Sequence, residues 1–236
     1  YSVWGGLSAV AWTDVVQVII LILGGILMTG IALTYVTPDG GMISGLSHVY
    51  NTVPERFSMI LEKGEIITPD GRDAYFDLPG IAVLIGGMWI ANTYYWGFNQ
   101  YIIQRTFAAK SLKEAQKGIA FAAFLKLIIP IFVVLPGIIA YVINLDPNTG
   151  ELVKSLPEGF TSSDGSILND NAAPWLIKNY IPVGIKGLIL AALAAAIVSS
   201  LASMLNSTST IFTMDIYKEF MDKNASDQKL VKVGRV

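Results

Sequence analysis

Four long stretches of this chain carry almost no charge, and they constrain its fold more than any other feature. They run from Val15 to Pro38, Leu78 to Gln104, Gly118 to Leu145 and Gly187 to Met214, and the only charged side chain within them is Lys126. Each exceeds the ~20 residues that an α-helix needs to cross a bilayer. Lipid supplies no hydrogen-bond partners, so backbone in such stretches must satisfy itself, as it does in a helix. Composition agrees: 14% of residues are charged, against about a quarter in a typical soluble domain. The expected fold class is therefore an all-α integral membrane bundle, with spans of approximately 7–36, 79–104, 117–144 and 182–214. The expected location is a multi-pass position in the cell inner (plasma) membrane.

Charge in the intervening segments alternates. Residues 105–117 hold Arg105, Lys110, Lys113 and Lys117 against Glu114, which by the positive-inside rule makes this a cytoplasmic loop. Segments 37–78 and 145–181 are acid-rich and are expected outside. Within the first of these, residues 43–62 have helical apolar spacing, and Pro54 should break or restart the helix. The second is turn-rich over 145–174. A further helix is expected to begin near 228–236. The chain reads as a partial transmembrane domain whose partners are the lipid bilayer and the remaining helices of the same protein. A net charge of −2 leaves no basic footprint for a nucleic-acid partner, and the lack of cysteine excludes disulfides and thiolate metal sites. No HExxH, cysteine nucleophile or pair of intramembrane carboxylates suggests an enzyme.

Lys126 lies nine residues beyond Lys117, so ~13.5 Å into its span at about 1.5 Å per residue. That is close to the centre of a ~30 Å hydrocarbon core. An ammonium there is costly unless it is compensated, so it points to a polar cavity inside a bundle. A snorkelling or ion-paired lysine is the structural alternative. The second span carries a polar stripe of Asn92, Tyr95, Trp96 and Asn99, spaced i, i+3, i+4 and i+7 and so expected on one helix face. Rings that stack on C–H faces and amides that pair with hydroxyls suit a small polyhydroxylated ligand. Interhelical hydrogen bonding and an aromatic belt are the alternatives. In the fourth span Ser199, Ser203 and Asn206 share a face, with Ala196 just above. Hydroxyl and carbonyl oxygens are ligands that Na⁺ accepts, although small-residue helix packing explains the same pattern. Asp14 opens the first apolar run, where it can attract a cation, cap a helix or stand as an ordinary rim charge.

Together these residues resemble a known family. The run WIANTYYW from Trp89, NQYIIQRTFAAK from Asn99, the FLK ending at Lys126, and AAAIVSSLASMLNS from Ala194 resemble the sodium/solute symporter family, closest to its sodium/glucose cotransporter branch. The resemblance implies a LeuT-type inverted-repeat helical bundle of about fourteen helices. The four spans would be the fifth to eighth helices of its core, and the fragment alone should not transport. It implies sodium-coupled uptake of a sugar, galactose or glucose, by alternating access, with the sodium ion co-transported. The sugar contacts it implies are Asn92, Tyr95 as an inner gate, Trp96 and Lys126. The sodium ligands are Ala196, Ser199 and Ser200, and Asp14 matches a position on the sodium exit path. A symporter for a non-sugar solute, or a channel or structural membrane subunit, is the alternative.

Lys126→Ala in the full-length protein is expected to abolish sugar uptake while insertion and folding persist. Uptake at the wild-type rate, at equal amounts of folded protein, assigns Lys126 to snorkelling or structure instead.

Overall fold

The computed structural model describes residues 2–68, 71–77, 80–146, 148–150, 152 and 169–235. The turn-rich segment expected over 145–174 falls mostly outside these residues. The elements are α1 (Ser2–Thr34), α2 (Met42–Thr52), α3 (Ile81–Ile85), α4 (Gly87–Gly97), α5 (Gln100–Phe107), α6 (Leu112–Val133), α7 (Leu135–Ile143), α8 (Ala172–Tyr180), α9 (Val183–Ile211) and α10 (Asp227–Val233). No β-strand occurs among the described residues.

Among the described residues, three stretches are long and apolar enough to cross a membrane: Gly5–Thr34, Leu112–Ile143 and Val183–Met221. In the segment 79–104, expected as one span, the described residues form a succession of helical pieces. A turn at Gly86 separates α3 from α4, and Gly97 ends α4. Glycine lacks the Cβ that favours helical continuation, and two of them interrupt this stretch. Gly6 similarly breaks the start of α1, with a positive φ of 57° that an L side chain rarely adopts. Pro130 lies inside α6 and has no N–H to offer the carbonyl of Lys126 four residues back.

The chain divides into two compact units. The first holds Tyr1–Leu21, Asn92–Ala123 and Leu190–Val236; the second holds Ile22–Ala91 and Phe124–Ile189.

The second unit has an apolar core. Ala32 and Leu33 from the end of α1, Val49 of α2 and Val53 just beyond it, Ile139, Ala140 and Val142 of α7, and Trp175 and Leu176 of α8 pack together. Burying each large aliphatic side chain contributes about 1.5–3 kcal/mol. The Arg56 guanidinium lies 3.8 Å above the Tyr141 ring, fixing the 3₁₀ turn Pro54–Phe57 against α7. As expected from Pro54, α2 ends at Thr52. Ahead of α2, Ser44 Oγ donates to Asp39 at 3.0 Å. Hydrogen bonds from Thr37 and then Ser44 hold the Asp39 carboxyl below its ordinary range.

Two glycines permit close helix approach here. A Cβ at Gly25 would lie 2.5 Å from Phe132 Cβ, which lets α1 touch α6. Beside that contact the Thr29 hydroxyl lies 2.9 Å from the Gly25 carbonyl and 3.0 Å from that of Ile131. A Cβ at Gly45 would lie 2.2 Å from the backbone oxygen of Leu33, so α2 rests directly on the end of α1.

In the first unit, α9 continues as a π-helix through Phe212–Met221. Beyond it α10 folds back, capped by Ser226 and tied by Lys229 to Asp222 at 2.7 Å. The hydrogen bond to Lys229 lowers the Asp222 carboxyl, and Asp222 raises Lys229 in return.

Gly45→Ala should destabilise the full-length protein by about 1–3 kcal/mol, because the obstructing atom is backbone and cannot rotate away. Gly137→Ala, in a helix with nothing within 4 Å of the added methyl, should be neutral or stabilising by about 0.5–1 kcal/mol. Thermal unfolding midpoints of the purified variants check both; equal midpoints contradict the close approach of α2.

Candidate functional site

An aspartate twelve residues into a membrane-length helix needs an answer to its charge, and the first unit supplies one. Asp14 lies within α1, which rules out a role as its N-cap. The Arg105 Nη2 approaches Asp14 Oδ2 at 2.5 Å and its Nε approaches the same oxygen at 3.2 Å. The other carboxylate oxygen, Oδ1, accepts from the Ser199 hydroxyl of α9. The same Arg105 Nη2 donates to the Ser203 hydroxyl, one turn further along α9. One carboxylate and one guanidinium thus join α1, α5 and α9. The Asp14 side chain is 14% exposed and that of Arg105 33%. The pair is therefore worth more than a surface bridge, yet keeps partial solvation, which limits the cost of burial.

A second polar group adjoins it. Gln104, 4% exposed, donates through Nε2 to the Ser203 carbonyl at 3.2 Å and the Tyr101 carbonyl at 3.1 Å. Its Oε1 accepts from Asn206 Nδ2 at 2.8 Å. The sequence places Ser199, Ser203 and Asn206 on one face of α9, and the structure gives each a polar partner there. Ala196 and Ser200 are half-buried on the same helix.

Arg105 and Gln104 were not expected here. Charge counting puts Arg105 in the basic loop 105–116, and Gln104 ends an apolar run. The structure instead places both in α5. The signal that could have found them is the pairing rule itself: Asp14 at the edge of an apolar helix needs a cation, and Arg105, directly after the run ending at Gln104, is one of the few cations that adjoin such a run.

The stripe of the second span is only partly on one face. Asn92, Tyr95 and Trp96 lie together on α4. The Tyr95 and Trp96 rings meet edge to face, 5.4 Å apart at 85°, and each is 39% exposed. Asn99 does not continue this face, which corrects the expectation. Gly97 ends α4, Asn99 adopts an extended conformation, and its Oδ1 accepts from the Tyr101 N–H at 3.1 Å as the N-cap of α5. Lys126 lies on α6 in the second unit, exposed and one turn before Pro130.

Among the described residues no group of three or more His, Cys, Asp or Glu could hold a metal ion. What the arrangement offers is oxygen: a carboxylate and two hydroxyls around one cationic group, a set suited to a monovalent cation as well as to a guanidinium.

The whole chain is similar to known proteins. The family model described as SSF, sodium:solute symporter family, matches residues 1–236. The chain is 58% identical over 236 residues to a sodium/glucose cotransporter of Vibrio parahaemolyticus, covering 100% of the chain and 41% of that relative. It is 36% identical over 248 residues to the sodium/myo-inositol cotransporter 2 of Homo sapiens, covering 34% of it. The chain therefore spans well under half the length of the curated relatives it matches. A solved structure of the substrate-bound outward-open state of a Na⁺-coupled sialic acid symporter matches with a TM-score of 0.74 at 29% identity. It covers 100% of this chain and 44% of that one. The likeness supports the expected LeuT-type helical fold.

Arg105→Met should destabilise the full-length protein by about 1–3 kcal/mol, between the values for surface and buried pairs. Adding Asp14→Asn should recover part of that loss, because no carboxylate is then left unpaired. Chemical or thermal unfolding in detergent checks this; additive losses contradict a direct pair.

Proposed function

Because this chain belongs to the sodium:solute symporter family, we propose that its full-length protein takes up a sugar, galactose or glucose, together with sodium. The observation that carries the sodium half is the Asp14 carboxylate on the Ser199 hydroxyl of α9, with Arg105 and Ser203 beside it. A cation held by Ala196, Ser199 and Ser200 would have a carboxylate within one hydrogen bond of its ligands. Asp14 draws the ion toward the cytoplasmic end and Arg105 balances the charge when the ion has left. The sugar half rests on the exposed Asn92, Tyr95 and Trp96 face of α4 and on Lys126. An amide and an ammonium pair with hydroxyls, while the Tyr95 ring covers an apolar sugar face and blocks the way inward. A contribution from Asn99 rests on its Nδ2 group, since its oxygen caps α5. The 58% identity to a sodium/glucose cotransporter supports a sugar over other solutes.

Transport of this kind is not catalysis. Sodium and sugar each favour one conformation, and the coupling free energy links their affinities reciprocally. The membrane potential adds about 2.3 kcal/mol per charge per 100 mV. The protein's place in the plasma membrane, multi-pass, follows the same reading.

Uptake of labelled glucose, galactose and myo-inositol by the full-length protein in liposomes tests the proposal, with proline and iodide as controls. Sodium-dependent accumulation of a hexose is expected. Accumulation of proline or iodide alone, or equal uptake in potassium, overturns it. In the same assay Ser200→Ala should raise the sodium concentration for half-maximal uptake more than the sugar concentration. An unchanged sodium dependence returns this segment to helix packing.

A further inference from the structure

Where α9 belongs to the second unit, the larger Ile189 is buried. Within the first unit the buried side chains of α9, Ala192, Ala202, Ser203 and Ser207, are all small. Ridges made by such residues are shallow, so packing alone fixes the rotation of a helix weakly. The polar contacts of Gln104 supply what packing lacks. Its amide grips α9 at two points, the Ser203 carbonyl at 3.2 Å and the Asn206 side chain at 2.8 Å, three residues apart. Two contacts spanning nearly one turn resist both rotation and sliding, whereas one contact leaves rotation open. The third bond, to the Tyr101 carbonyl at 3.1 Å, anchors the amide to its own helix. The orientation of the amide is dictated by its surroundings: Nε2 faces two carbonyl oxygens, so the oxygen must face Asn206.

We propose that Gln104 is a positioning residue that sets the register of α9, and with it the direction in which Ser199 and Ser200 present their oxygens. The inference rests on the reading of those serines as sodium ligands. Ser199 and Ser200 lie four and three residues before Ser203, about one turn away, so they follow its orientation directly. A one-residue slip of α9 would turn them by about 100° and move them ~1.5 Å. Arg105, on the next residue, holds the Ser203 hydroxyl and continues the grip toward Ser199 through Asp14. Gln104 touches no ion and no sugar in this scheme; it acts through Ser203 and Asn206.

The test is uptake by the full-length protein in liposomes, with sodium and sugar each titrated at saturating levels of the other. Gln104→Leu keeps the bulk and removes both links to α9. It should raise the sodium concentration for half-maximal uptake by about three- to twenty-fold, the span of measured interhelical hydrogen bonds. The sugar concentration for half-maximal uptake, at saturating sodium, should stay within about two-fold. The exchanged pair Gln104→Asn with Asn206→Gln restores the amide contact and should recover much of the sodium affinity. Should Gln104→Leu yield too little folded protein, Asn206→Leu removes one link and carries the same expectation at smaller size. An unchanged sodium requirement, an equal shift in sodium and sugar, or a fall only in maximal rate overturns the positioning role. If Ser200→Ala shifts the sodium requirement and Gln104→Leu does not, this inference fails while the sodium reading stands. If Gln104→Leu shifts it and Ser200→Ala does not, the sodium-ligand reading fails, and the proposed positioning of Ser199 and Ser200 fails with it.

Discussion

A carboxylate in an apolar helix must be answered by another part of the chain, because lipid offers it nothing. In the first unit Asp14 meets that demand with Arg105 on one oxygen and Ser199 on the other. The pairing does more than neutralise charge. Arg105 is brought in with α5, and α5 brings Gln104, whose amide then reaches Ser203 and Asn206. The polar face of α9 is thus held at three successive levels, at Ser199, Ser203 and Asn206. Each hydrogen bond is modest, typically about 0.6 kcal/mol between membrane helices. Their effect is mainly directional: they choose one rotation of a helix whose small side chains choose weakly.

The second unit solves a different problem by different means. Its core of Leu33, Val49, Ile139 and Leu176 is apolar and tightly apposed, with Gly45 allowing α2 to rest on the end of α1. Burial of apolar area orders this part, while hydrogen bonds and charge order the other.

The apolar runs were legible in the sequence because bilayer thickness sets a length that composition reveals directly. The helix expected within 43–62 and its break at Pro54 also followed from local signals, although beyond the break only a 3₁₀ turn follows. The breaks in 79–104 were harder: a glycine permits an interruption, but only tertiary context decides whether it bends a helix or ends it. Asn99 illustrates the cost, since it fits the i+7 position of a stripe on a helix that stops before reaching it. On α9, the shared face of Ser199, Ser203 and Asn206 was readable from period alone. Their partners were not, because Asp14, Gln104 and Arg105 lie some 90 to 190 residues away in sequence, and no local pattern encodes a contact at that separation.

The central claim is that the Asp14 carboxylate lies where sodium acts. Infrared difference spectroscopy on the full-length protein, exchanging potassium for sodium, addresses it most directly. The account predicts a sodium-induced change in a carboxylate stretching band that disappears in Asp14→Asn and survives in Asp222→Asn. The same carboxylate difference band in wild type and Asp14→Asn, or none in either, would contradict it.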